Sequence, residues 1–138
     1  MDEGGYANES YWTEGGFNSG KTEPSNWNDP GDFGGNIPGN ENYPVSGVGW
    51  FEATAYCKWL SEKTGHVYRL PTEAERERAA KDTFDIIYPW GNVLNNTYAN
   101  YFDDPVRLKP VGYYDSTGYT NSNASPFGAF DMIGNVFE

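Results

Sequence analysis

Ser125 to Glu138 reads SPFGAFDMIGNVFE, which sets Asp131, Asn135 and Glu138 among Phe127, Phe130, Met132, Ile133 and Phe137. Carboxylates spaced through an apolar run are costly to bury unless something compensates them. A hard cation held by side-chain and backbone oxygens is one such compensation. Gly134 lets the backbone turn, so that its own carbonyl, that of Val136 and the carboxylates of Asp131 and Glu138 can converge on one point. The stretch therefore reads as a calcium-type site. A plain turn, with Asp131 capping local amides and Glu138 in water, accounts for the same residues and stands beside that reading.

Upstream, the local signals are helical. Phe51 to Lys63 carries Ala55, Trp59 and Leu60 at helical spacing, and Gly65 is placed to end that helix. Thr72 and Glu75 form an S/T-x-x-E capping box after Pro71, which predicts a second helix over Glu73 to Lys81. The charged run of Glu73, Glu75, Arg76, Glu77, Arg78 and Lys81 reads as a solvated helical face with ion pairs of small worth. A short strand or extended entry is expected at Tyr43–Trp50, and short strands among loops at Ile86–Tyr88 and Lys109–Tyr114. Met1 to Asn42 is irregular in pattern, but Tyr6, Tyr11, Trp12, Phe17, Trp27 and Phe33 have apolar area to bury, so an ordered coil wrapped on the core is expected.

Charge and composition exclude whole classes. Nine basic against twenty acidic residues give a formal net charge of −11, which repels a phosphate backbone, so no nucleic acid partner is expected. No run approaches the roughly 20 apolar residues that span a bilayer, and the N-terminus lacks the order of a signal peptide, so no membrane partner is expected and the chain reads as soluble. Sequons at Asn8, Asn95 and Asn123 leave the compartment open. With one cysteine, Cys57, and one histidine, His66, an internal disulfide or a four-ligand zinc site is hard to assemble. His66 reads as a surface residue and Cys57 as a buried, inert thiol on the first helix.

Several blocks in order carry a resemblance. They are Pro44-Val45-Ser46-Gly47-Val48-Gly49-Trp50, Glu52-Ala53 with Ala55-Tyr56-Cys57, Tyr68-Arg69-Leu70-Pro71-Thr72-Glu73-Ala74-Glu75, Tyr88-Pro89-Trp90-Gly91-Asn92, Ala99-Asn100, Pro110-Val111-Gly112 and the closing stretch. Together the chain resembles the formylglycine-generating enzyme, or sulfatase-modifying factor, family across nearly its whole length. That resemblance tips the Asp131, Gly134, Val136 and Glu138 set toward calcium. It also implies a second cation position at Asn100 and the Tyr101 carbonyl, with Asp103 or Asp104 as stand-ins for a downstream acid, where a plain Asx turn competes. Arg76 departs from the pattern, which carries tryptophan there, and one packing contact is put in doubt.

The fold implied is α+β and C-type-lectin-like, two helices with short strands and much irregular loop, as a single partial domain over residues 1–138. The family's pattern is about twice as long, so the chain reads as incomplete. Family members oxidise a cysteine of a protein or peptide substrate to formylglycine with molecular oxygen, through a copper-binding cysteine pair beyond the closing segment. That pair is not in this chain, so no catalytic residue is assigned within it and the chain alone is expected to be inactive. The alternative is a non-catalytic, calcium-stabilised C-type-lectin-like binding module.

Overall fold

The first amides of a helix have no intrahelical acceptor, and Thr72 supplies one. In the computed structural model, which describes residues 5–17, 42–83, 85–101, 108–114 and 123–136, the Glu75 amide donates to Thr72 Oγ1 at 3.3 Å and the Thr72 amide donates to Glu75 Oε2 at 2.8 Å. This reciprocal cap starts helix α2, Glu73–Lys81, as its sequence predicts. Thr72→Ala is expected to lower stability by about 1 kcal/mol in a thermal melt; an unchanged melt would show that α2 does not depend on this cap. Salt bridges Lys81–Glu77 at 2.9 Å and Arg78–Asp82 at 3.0 Å follow the expected i,i+4 spacing.

Helix α1 spans Trp50–Thr64 and stops at Gly65, whose φ of 73° only glycine adopts cheaply and whose amide donates to the Ser61 carbonyl. At its start the Glu52 side chain lies over Gly49 and is 2% exposed, where the unpaired amides and dipole of the first turn favour an anion.

The described chain divides into two compact units, one of residues 5–17 with Val45–Leu70, the other of residues 42–44 with the described residues from Pro71 onward. The first unit is built on the N-terminal aromatics. Two 3-10 turns, Gly5–Ala7 and Glu9–Tyr11, bring Tyr11 and Trp12 onto Ala55 of α1, with Tyr6, Phe17, Phe51 and Trp59 packed around them. Trp12 Nε1 donates to the Tyr6 carbonyl at 2.9 Å, so the ring is buried without an orphaned donor. Tyr11 donates to the Glu62 carboxylate, and that bond, with burial, raises its pKa. The expected ordered coil holds for these residues; Trp27 and Phe33 lie outside the described ones.

Among the described residues, Tyr43–Trp50, Ile86–Tyr88 and Lys109–Tyr114 form no strand. Among the described residues there is one isolated bridge, Tyr88 with Gly91, closed by reciprocal bonds of 2.9 and 3.0 Å. Pro89 has no amide to extend a ladder, and the Ile87 amide is taken by Asn92 Oδ1 at 2.8 Å. Val111 to Tyr114 is a turn, not a strand, with the Tyr113 amide on the Pro110 carbonyl. Trp90 stacks between Tyr88 and Tyr98, at 5.3 and 5.4 Å between ring centres. No helix among the described residues is long and apolar enough to cross a membrane.

Candidate functional site

Three of the six residues 131–136 have left-handed backbone: Asp131 at φ 54°, Gly134 at 86° and Asn135 at 69°. Glycine takes this conformation freely; aspartate and asparagine tolerate it because their short polar side chains bond nearby. Gly134 is required for a second reason. A Cβ there would stand 2.6 Å from the Asn100 carbonyl oxygen, so only a bare Cα allows the two backbones to approach.

Asn135 is the hub of the loop. Its amide donates to the Asn100 carbonyl at 2.8 Å, its Oδ1 accepts from Asn100 Nδ2 at 3.1 Å and from the Lys109 amide at 2.8 Å, and its Nδ2 donates to the Lys109 carbonyl at 2.9 Å. Asp131 Oδ2 accepts from the Gly112 amide at 2.7 Å. Asp131 therefore does cap an amide, but one 19 residues away, not a local one. Preceding the loop, a closed turn runs from Ser125 to Ala129, with the Ser125 amide on the Ala129 carbonyl at 2.7 Å.

Of the residues expected from sequence to serve two cation positions, Asn100 adjoins the 131–136 loop, which it holds through both backbone and side chain. Asn100 is buried and Tyr101 is exposed. The Gly134 carbonyl accepts from the Val136 amide at 2.8 Å, which leaves its second lone pair as a donor to an ion. Glu138, Asp103 and Asp104 lie outside the described residues. Among the described residues no group of three or more histidine, cysteine, aspartate or glutamate side chains gathers. The donors present are one carboxylate with backbone carbonyls, a set that suits a hard cation in kind but needs further oxygens to reach six to eight.

The apolar frame is not a buried one. Phe127 is 58% exposed and Phe130 41%, and Asp131 is half-buried, so the desolvation argument for a compensating ion is weaker than the sequence suggests. Cys57 is half-buried rather than buried, because its turn of α1 is only partly covered; burial still raises the thiol's pKa. His66 is exposed, as expected.

Sequence reasoning missed two residues. Asn135 offers a donor and an acceptor within an apolar run, and that was the available signal. Arg76, read as part of a solvated face, is half-buried and its Nη2 donates to the Met132 carbonyl at 2.7 Å.

The profile of the sulfatase-modifying factor enzyme 1-like domain matches residues 1–138. The chain belongs to that family. Among its relatives in the sulfatase-modifying factor family, hercynine oxygenase of Mycobacterium tuberculosis is 36% identical over 155 residues, covering 100% of this chain and 33% of the relative. The formylglycine-generating enzyme of Thermomonospora curvata is 36% identical over 121 residues, covering 81% and 37%. The inactive C-alpha-formylglycine-generating enzyme 2 of Bos taurus is 32% identical over 117 residues, covering 81% and 37%. The chain thus spans about a third of the length of these three relatives. No solved structure matches it significantly.

Proposed function

We propose that these residues form the cation-braced portion of an oxidative domain on a C-type-lectin-like frame, and that the whole protein oxidises a cysteine of a protein or peptide substrate to formylglycine with molecular oxygen. The observation that carries this reading is the family match over residues 1–138, joined to relatives whose names denote an oxygenase and a formylglycine generator. Asp131 with the carbonyls of Gly134 and Val136, completed by Glu138, would hold a calcium ion, and Asn100 with the Tyr101 carbonyl would serve a second position. A bound ion supplies fixed positive charge that gathers these oxygens. Asn135 keeps Asn100 and Lys109 in place beside them, and Gly112 orients the Asp131 carboxylate.

Copper ligation and redox work through cysteine both require the thiolate, and the only thiol here is Cys57. Its raised pKa keeps it protonated at neutral pH, so it is assigned a packing role. The 138-residue chain, given a cysteine peptide with oxygen, copper and reductant, is expected to yield no aldehyde above a no-protein blank. Aldehyde formation would place the oxidising chemistry within these residues and overturn the scaffold assignment. The full gene product, offered the cysteine peptide and hercynine side by side, identifies the substrate: turnover of hercynine alone would replace the protein substrate with a small molecule.

The inactive bovine relative favours a second reading, a non-catalytic calcium-stabilised binding module. It predicts that the full gene product oxidises neither substrate while its calcium response remains.

A further inference from the structure

The charged face of α2 contains one side chain that does not behave as a surface group. Glu77 and Arg78 are exposed and engage i,i+4 partners, whereas Arg76 is half-buried and reaches a carbonyl 56 residues further along the chain. A planar guanidinium on a carbonyl makes a charge-assisted, directional bond that a flexible ammonium does not reproduce.

Its target matters. Met132 follows Asp131, a non-glycine residue at φ 54°, and precedes the left-handed pair Gly134 and Asn135. Such conformations persist where the surroundings hold them. Asn100 and Lys109 hold the far end of the loop through Asn135, and Gly112 holds the Asp131 side chain. Arg76 holds the peptide between these anchors.

We propose that Arg76 is a positioning residue for the 131–136 loop, fixing the Met132 peptide so that the Asp131 carboxylate and the Gly134 and Val136 carbonyls keep the arrangement a cation requires. The ligand rests on the calcium reading above; the loop's shape does not. Positioning and charge act with opposite signs. A preorganised loop binds calcium more tightly, whereas a guanidinium that merely sits nearby repels it, so removing Arg76 weakens binding in the first case and tightens it in the second.

The experiment compares the parent chain with Arg76→Ala and Arg76→Lys by residue-resolved hydrogen exchange in chelator and by calcium titration. In Arg76→Ala, exchange at the Asn135 and Gly112 amides is expected to rise about tenfold and calcium affinity to fall about tenfold, the size of effect that the charged hydrogen bond to Met132 carries. Exchange at the Asp82 amide, which bonds to Arg78 within the end of α2, is expected to stay unchanged. Arg76→Lys should recover only part of either effect. Unchanged exchange at Asn135 and Gly112, or tighter calcium binding, overturns the proposal. If the parent binds no calcium, the calcium reading fails while the exchange comparison still decides the positioning role. If Arg76→Ala loses protection everywhere, Arg76→Gln, which keeps a donor on a shorter stem, gives the same comparison between loop and helix.

Discussion

Trp12→Ala is expected to destabilise the chain by about 3–5 kcal/mol, a large share of the roughly 5–15 kcal/mol that holds a domain together. The indole is 6% exposed, meets Tyr6 at 6.0 Å and Phe17 at 6.2 Å between ring centres, and packs with Ala55 of α1. Its removal opens a cavity under a helix whose own buried residues are only Glu52 and Ala55. Trp12→Phe separates the two contributions. It keeps an aromatic ring but deletes the bond to the Tyr6 carbonyl, so a smaller loss, about 1 kcal/mol beyond the packing change, is expected. Urea unfolding of the three proteins measures both. Equal midpoints for Trp12→Ala and the parent would mean that the N-terminal turns do not brace α1.

If Asp131 and its neighbouring carbonyls bind calcium in the folded form, as proposed, the ion at 100 times its dissociation constant is expected to stabilise the chain by about 2.7 kcal/mol, and magnesium, which demands a tighter octahedron, should do less. Two variants at Asp131 isolate the carboxylate. Asp131→Asn keeps an oxygen for the Gly112 amide and a residue type that tolerates φ 54°, so melting in chelator should stay within about 0.5 kcal/mol of the parent while the calcium response disappears. Asp131→Ala should lose the calcium response and also melt earlier in chelator, since the Gly112 amide loses its acceptor at a cost of about 1–3 kcal/mol. Identical melting of the parent in calcium, magnesium and chelator would leave Asp131 as an acceptor for Gly112 and nothing more.

What the sequence discloses here follows distance along the chain. The Thr72 cap and the Gly65 stop were legible because each is a bond over three or four residues, written in the residue types themselves. The burial of Tyr11 and Trp12 was legible from aromatic density. That Ile86–Tyr88 and Lys109–Tyr114 are not strands was not legible, because a strand depends on a partner; Pro89 and the Asn92 side chain hold the first in a turn, and the Tyr113 amide on the Pro110 carbonyl closes the second. At the candidate site, Gly134 and Asp131 stood out as a turn and a carboxylate. That Asp131 faces the Gly112 amide, that Asn135 joins Asn100 to Lys109, and that Arg76 leaves the solvated face of α2 depend on contacts 19 to 56 residues apart, which no local pattern encodes.

Those long spans also set an order of assembly. A ribosome delivers Arg76, Asn100, Lys109 and Gly112 well before residues 131–136, so for that interval none of the four has its loop partner. The cap of helix α2 needs only residues within the helix's own first turn, whereas the loop must await its own synthesis and then close segments whose closure entropy grows only slowly with length. Translation paused just short of Asp131 would leave a nascent chain whose four partner positions still lack the loop, and the loop's arrival would be the step that joins them.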